Sequence, residues 1–123
     1  MNAPRTTRPE PLLDVVTTQH DDALVLHVSG DIDLASAPTL SRAIVTALDD
    51  RPPTLVFDLT RVRFLASVGL SLLIEAQSSA HPATHVVVVA DGPVTARPIT
   101  ITGVDDIVPL YATLGEALTA ASR

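Results

Sequence analysis

The sequence predicts an α/β fold, with a mixed β-sheet of four to five strands and about four α-helices packed on it. Short runs rich in Val, Leu and Ile alternate along the chain with segments whose apolar residues recur at helical spacing. The chain holds two Phe, one Tyr and no Trp, so its core must consist of aliphatic side chains, as in a buried sheet covered by Ala- and Leu-rich helices. The length of 123 residues predicts one domain, residues 12–123, after a flexible Pro-containing tail, residues 1–11.

The first half of the chain predicts a β-hairpin, a helix and a buried strand. Gly30 is expected to end the second strand of the hairpin. Pro38 stands close to the first helical position, where its missing N–H costs nothing, and the run DDRPP at residues 49–53 stops the helix. The expected elements are strands over residues 12–17 and 24–29, an acidic loop over 31–33, a helix from about 36 to 48, and a strand over 54–59.

The second half predicts two well-marked helices on either side of a very hydrophobic strand. This strand, HVVVVA at residues 85–90, is expected in the interior of the sheet. In the last helix, Thr113 and Glu116 have the spacing of the N-cap and N3 residues of a capping box. The other expected elements are a helix from about Ser67 to Ser79, a helical or irregular segment over 94–102, an edge strand over 108–111, and the final helix over 113–121.

Charge and composition exclude several classes of function. Fourteen acidic residues against eight basic ones give a net charge of −6, the opposite of the basic surface that binds nucleic acid. The absence of Cys excludes a disulfide framework and thiolate metal ligands, and the four His show no metal-ligand spacing. No apolar run reaches the roughly 20 residues of a membrane span, and no signal peptide is visible. We therefore expect a cytoplasmic protein without a cofactor and without direct contact to nucleic acid or membrane.

The segment that points to function is the start of the second predicted helix. On a helical wheel, Gly69 falls on the sheet-facing side, and since glycine disfavours helices its presence there indicates a close approach to the sheet. Leu70 and Ile74, one turn apart on the opposite side, are expected to be accessible and to form a docking face beside Ser67. From the residues alone, the commoner role of Ser67 is to cap the helix. The sheet-facing arc comprises Leu65, Gly69, Leu72, Leu73 and Ala76, and the outer arc comprises Ser67, Leu70, Ser71, Ile74 and Ser78.

Four ordered blocks of the chain resemble the signature of the STAS-domain anti-sigma-factor antagonists. That family typically reads Gly-Glu-(Leu/Ile)-Asp-Leu at the first block and Phe-x-Asp-Ser-(Ser/Thr)-Gly-Leu at the third. The likeness covers residues 12–121, nearly the whole chain, and it implies the STAS fold. The matching blocks are GDIDL at residues 30–34, LVFDLT at 55–60, FLASVGL at 64–70, and TGVDD with YATLGEAL at 102–106 and 111–118.

The resemblance implies a regulatory binding protein that acts by partner switching in transcription and the stress response, not an enzyme. The unphosphorylated antagonist binds an anti-sigma factor, a serine kinase of the histidine-kinase-like ATPase fold, and so releases the sigma factor. The kinase phosphorylates the signature Ser, which is Ser67 here, and a serine phosphatase resets it. With the docking face from the wheel, the residues expected to contact the partner are Asp31, Asp33, Ala66, Ser67, Val68, Leu70, Ser71 and Ile74.

Two departures from the family pattern leave an alternative within the fold. Ala66 replaces the usual Asp before the phosphoacceptor, and Val68 replaces the usual Ser or Thr after it, a form that resembles antagonists of the sigma-F branch. The alternative is a STAS scaffold or binding module of a signalling assembly that phosphorylation does not regulate. Asp33 also has a structural alternative, because turn residues of this type cap loops.

Two enzyme-like readings fit the residues less well. Asp58, near the end of a predicted strand, imitates the phosphoacceptor of a response-regulator receiver, but the chain contains no Lys to neutralise a phosphoryl group. Ser67 at a strand-to-helix junction imitates a hydrolase nucleophile, but Gly-x-Ser-x-Gly is absent because Leu65 occupies the position of the first Gly.

Overall fold

A computed structural model describes residues 13–122, so the predicted tail at residues 1–11 lies outside the described residues. The strands and helices alternate much as the sequence predicts. In chain order they are β1 Leu13–His20, β2 Ala23–Ile32, α1 Ala37–Asp49, β3 Thr54–Leu65, α2 Ser67–Ser79, β4 His85–Val89, α3 Ala96–Ile101, a 3₁₀ turn Val104–Asp106, β5 Leu110–Tyr111 and α4 Leu114–Ala121.

The five strands form one mixed sheet in which the spatial order, β1-β2-β3-β4-β5, is also the order along the chain. β1 runs antiparallel to β2, and β2 to β5 run parallel to one another. Crossovers that contain α1, α2 and α3 join the parallel strands, so the carboxyl ends of β2 and β3 lie at the same edge. The predicted α/β class with a mixed sheet is confirmed.

Helices cover both faces of the sheet. On one face α1, α2, α3 and the 3₁₀ turn pack on a large cluster that includes Leu26, Phe57 and Val88. On the other face α4 packs on a smaller cluster. Because successive side chains of a strand point to opposite faces, β2, β3 and β4 contribute to both clusters. The smaller cluster consists of Ala23, Val25, Val56, Val87, Val89 and Ala117.

The second and third strands are longer than the sequence predicts. β2 does not end at Gly30, because Asp31 and Ile32 continue the pairing with Phe64 and Leu65 of β3. Gly30 instead has a φ of 103°, and the register shifts between it and the next residue. This glycine therefore marks an irregularity inside the strand rather than its end. Most of the expected acidic loop is strand.

α2 has the predicted bounds and the predicted packing against the sheet. Its buried residues are Gly69, Leu72, Leu73 and Ala76, all from the arc expected to face inward. A Cβ on Gly69 would lie 2.5 Å from Cδ1 of Leu65 and 2.8 Å from Cγ2 of Ile32. Glycine thus allows α2 to approach the sheet more closely than any larger residue would.

The C-terminal elements also follow the prediction. β5 is a two-residue edge strand; the C=O of Pro109 just before it accepts the N–H of Val88 at 2.9 Å, and the missing proline N–H prevents a longer ladder. At the start of α4, Oγ1 of Thr113 accepts the N–H of Glu116 at 3.1 Å, and Oε1 of Glu116 accepts the N–H of Ala112 at 3.2 Å. Among residues 13–122, no helix has the length and apolar character that crossing a membrane requires.

Candidate functional site

The start of α2 is tied to the end of β2 at the carboxyl edge of the sheet. The N–H of Ala66 donates to the C=O of Ile32 at 2.9 Å, just beyond the register pair between Ile32 and Leu65. Asp33 directly follows Ile32 in the sequence, and Ser67 directly follows Ala66. The hydrogen bond therefore brings the loop after β2 and the start of α2 side by side, because the parallel strands β2 and β3 end at one edge of the sheet.

Ser67 is exposed and is the first residue of α2. Ala66 occupies the N-cap position with an extended backbone, φ −80° and ψ 166°, and no side chain caps this helix start. The plain capping role that the sequence allowed for Ser67 is therefore excluded. An exposed hydroxyl at the positive end of a helix dipole is chemically suited to accept a phosphoryl group, because the first-turn N–H groups favour negative charge there.

The acidic residues expected in the partner surface already have partners within the chain. Oδ1 of Asp31 lies 3.7 Å from Nε of Arg63 at the sheet edge. Oδ1 of Asp33 accepts the N–H of Ser36 at 2.9 Å, and the hydroxyl of Ser36 accepts the N–H of Asp33 at 3.0 Å. Asp33 therefore closes the turn that leads into α1, which is the structural role that its sequence position suggested as an alternative. A contact of Asp33 with a partner stays a prediction.

The outer side of α2 differs from its prediction at one residue. Ser71 is exposed, Ile74 is 37% exposed, and Ala66 and Val68 are partly exposed. Leu70, however, is only partly exposed and packs against the large core cluster, so the expectation of an accessible pair one turn apart is wrong at Leu70. α2 contacts α1 and the 3₁₀ turn as well as the sheet, so a wheel that considers only the sheet leaves these neighbours out.

Two large apolar side chains near Ser67 were not singled out as exposed by sequence reasoning. Leu34, in the turn after β2, is 81% exposed, and Phe64, near the end of β3, is 53% exposed. In the sequence, Leu34 directly follows the predicted acidic loop at residues 31–33, and Phe64 lies between the strand predicted over 54–59 and the helix predicted from about Ser67. Both positions lie outside the predicted strands and helices, where periodicity assigns no residue to the core or to the surface.

A second polar cluster lies within the sheet, away from Ser67. Oδ2 of Asp58 is 3.0 Å from Nδ1 of His27, and Nε2 of His27 is 2.8 Å from Oγ1 of Thr18. Oδ1 of Asp58 accepts both the N–H and the hydroxyl of Thr60. Since β3 continues to Leu65, Asp58 is not at the end of its strand, and both of its carboxylate oxygens have partners. This environment does not suit the phosphoacceptor of a receiver.

The sequence and the fold are similar to those of known regulatory proteins. Residues 14–117 match the family model described as STAS domain. The chain is 40% identical over 107 residues to the anti-sigma-F factor antagonist RsfB of Mycobacterium tuberculosis, covering 87% of this chain and 88% of the relative. The crystal structure of an anti-sigma factor antagonist from Mycobacterium paratuberculosis matches with a TM-score of 0.88 and 45% identity, over 90% of this chain and 95% of that chain. The phosphorylated form of the Bacillus cell fate determinant SpoIIAA shares the fold, with a TM-score of 0.65 and 17% identity over 87% and 98% of the two chains.

Proposed function

The chain belongs to the STAS-domain family, and from this we propose that it is an anti-sigma-factor antagonist switched by phosphorylation of Ser67. In its unphosphorylated form it binds an anti-sigma factor and releases the sigma factor. The anti-sigma factor is a serine kinase of the histidine-kinase-like ATPase fold, and a serine phosphatase restores the binding form. Antagonist relatives at 40% and 45% identity, each aligned over most of the chain, support the antagonist function itself.

The observation that carries the switch is the exposed Ser67 at a helix start without a side-chain cap. A kinase can reach this hydroxyl without opening the fold. A phosphate there adds about −1.5 to −2 charge at pH 7, and the N-terminus of a helix stabilises negative charge. The phosphorylated domain is therefore expected to stay folded.

The phosphate destabilises the complex with the partner rather than the folded antagonist. A dianion on Ser67 would have to lose its water when a partner covers the start of α2, and an unmatched charge is expensive to desolvate. Phosphorylation thus opposes binding without unfolding the antagonist. The surface proposed to be covered contains Asp31, Asp33, Ala66, Ser67, Val68, Leu70, Ser71 and Ile74.

Phosphorylation by the cognate anti-sigma kinase tests this proposal. Incubation with the kinase and ATP should add one phosphate, at Ser67, as read by mass spectrometry of the intact protein and its peptides. Ser67→Ala should abolish the modification, whereas Ser71→Ala, which removes an exposed hydroxyl one turn further along the same helix, should leave it intact. Ser67→Glu should weaken binding to the kinase at least about tenfold, equivalent to roughly 1.4 kcal/mol, with an unchanged melting temperature.

Two results would contradict the switch. Phosphate found only on another residue would remove Ser67 from the mechanism. If the wild-type protein binds the kinase and Ser67→Glu binds it equally well, the alternative function is favoured, a STAS scaffold that phosphorylation does not regulate.

A further inference from the structure

In the part of the chain that the structure describes, two exposed side chains on the segments that flank Ser67 are large and apolar. Leu34 and Phe64 are 81% and 53% exposed, and neither belongs to one of the two core clusters of the described residues. The nearby carboxylates, in contrast, already interact within the chain, Asp31 with Arg63 and Asp33 with the N–H of Ser36. A partner would gain little by replacing interactions that the free protein already has.

Leu34 and Phe64 stand on the two chain segments that meet beside Ser67. The N–H of Ala66 donates to the C=O of Ile32 and joins these segments. Leu34 lies two residues beyond Ile32, and Phe64 lies two residues before Ala66. The two apolar side chains therefore belong to the same edge of the sheet as the proposed phosphorylation site, and a partner that covers Ser67 is within reach of both.

We propose that Leu34 and Phe64 are the apolar anchors by which this protein binds the anti-sigma factor. These two side chains supply most of the affinity, while Asp31 and Asp33 orient the bound partner. This inference rests on the proposed function and adds the source of the binding energy. Interfaces concentrate affinity in a few large side chains that become fully buried, whereas exposed charges at the rim mainly affect the association rate. We therefore expect the surface of the anti-sigma factor that contacts this edge to be an apolar pocket rather than a basic patch.

Binding of the purified kinase by single-residue variants, measured by isothermal titration calorimetry, tests the anchors. Leu34→Ser and Phe64→Ser should each weaken binding roughly 10- to 100-fold, the equivalent of losing one fully buried large apolar side chain. Ile107→Ser is the matched control. Ile107 is also exposed, at 47%, but it lines the cleft beside Thr54 and His85 at the amino ends of β3 and β4. This variant should bind within about twofold of wild type.

Salt dependence separates apolar anchoring from ionic recognition. Raising the salt concentration from about 0.05 to 0.5 M should change the wild-type dissociation constant by less than about threefold, because screening acts on charges and not on apolar contacts. Since both anchors are exposed, the melting temperatures of their variants should match wild type, which keeps loss of binding distinct from loss of fold.

The outcomes that overturn the inference differ from those that overturn the proposed function. If the wild-type protein binds the kinase and both serine variants bind equally well, the anchors are wrong and the antagonist function stands. Strong weakening by salt together with a tenfold loss in Asp33→Asn would assign the affinity to charge instead. A wild-type dimer that Leu34→Ser dissociates would assign the surface to a second copy of this chain. Failure of the wild-type protein to bind any anti-sigma kinase would remove the proposed function and this inference with it.

Discussion

The starts of α2 and α4 share a backbone geometry but differ in how they are held. Both N-cap residues are extended, Ala66 with φ −80° and ψ 166° and Thr113 with φ −133° and ψ 154°. In α4, the side chains of Thr113 and Glu116 bond to backbone N–H groups at 3.1 and 3.2 Å. In α2, no side chain performs this task, and the helix start rests on the close packing of Gly69 against Ile32.

This difference separates a structural helix start from the one proposed to carry the phosphorylation site. A side-chain cap typically contributes about 1 kcal/mol by satisfying an N–H group that the helix itself leaves unpaired. α4 uses that contribution. At the start of α2 the N–H of Gly69 donates to the C=O of Ala66 at 2.9 Å, and no side chain caps the helix, so the positive end of its dipole stays available to an incoming anion. The protein thus has a side-chain cap at the start of α4 and none at the start of α2, the helix that begins with Ser67.

The largest expected effect comes from the glycines near the two helix starts. Gly69→Ala should lower the free energy of unfolding by about 1–3 kcal/mol, because its Cβ would lie 2.8 Å from the buried, β-branched side chain of Ile32. Gly115→Ala in α4 is the matched variant, since its Cβ would meet nothing closer than Oγ1 of Thr113 at 3.9 Å. It should be neutral or stabilising by up to about 1 kcal/mol. Urea unfolding measures both, and equal effects would show that packing does not hold the start of α2.

A smaller effect on stability is expected from removing the cap of α4 and adding one to α2. Thr113→Ala should destabilise the domain by about 1 kcal/mol, because it removes the acceptor of the Glu116 N–H. Ala66→Asp should stabilise it by roughly 0.5–1 kcal/mol, because it supplies the missing cap and places a negative charge at the helix N-terminus. Thermal unfolding of the two variants checks the comparison. A loss of stability in Ala66→Asp would mean that the open start is imposed by packing and not by the lack of a capping side chain.

Asp33→Asn should have the smallest effect, and it extends the comparison to α1. The amide oxygen of Asn can still accept the N–H of Ser36, now bonded at 2.9 Å, so stability should change by less than about 0.5 kcal/mol. Partner binding should weaken by less than about threefold, since only a charge at the rim is lost. Asp33→Ala serves as the control that removes the acceptor and should cost about 1 kcal/mol. Unfolding of the domain by the Asn variant would show that the charge itself anchors the loop.

The fold was predictable because local signals agree with long-range packing. The helix predicted from about Ser67 to Ser79 has these bounds in the structure, where His81 and Pro82 follow its end, and its buried arc follows from the 3.6-residue period. The capping spacing of Thr113 and Glu116 is equally local. The mixed sheet follows from a hairpin in front of strand–helix alternation.

The details of the candidate site were less predictable because they depend on neighbours in space. Gly30 reads as a strand end, but pairing with β3 carries β2 past it to Ile32. Leu70 reads as exposed on a wheel that considers only the sheet, whereas α2 also has neighbours on its flanks. Leu34 lies just beyond the predicted acidic loop, where the residue pattern assigns it to no face, and its 81% exposure depends on where the chain turns. The motif around Ser67 can be recognised in the sequence, but the exposure of Leu34 and Phe64 beside it is seen only in the fold.

The agreement between chain order and sheet order has a consequence for how the protein is made on the ribosome. Because β1 to β5 stand side by side in the order in which they are synthesised, each new strand can join an edge that already exists, and none has to insert between two others. The helix α4 follows all five strands, yet it covers the face that bears Val25, Val56 and Val87. That face lacks this cover until α4 has emerged. The nascent protein is therefore most prone to aggregate when its sheet is complete and α4 has not yet docked.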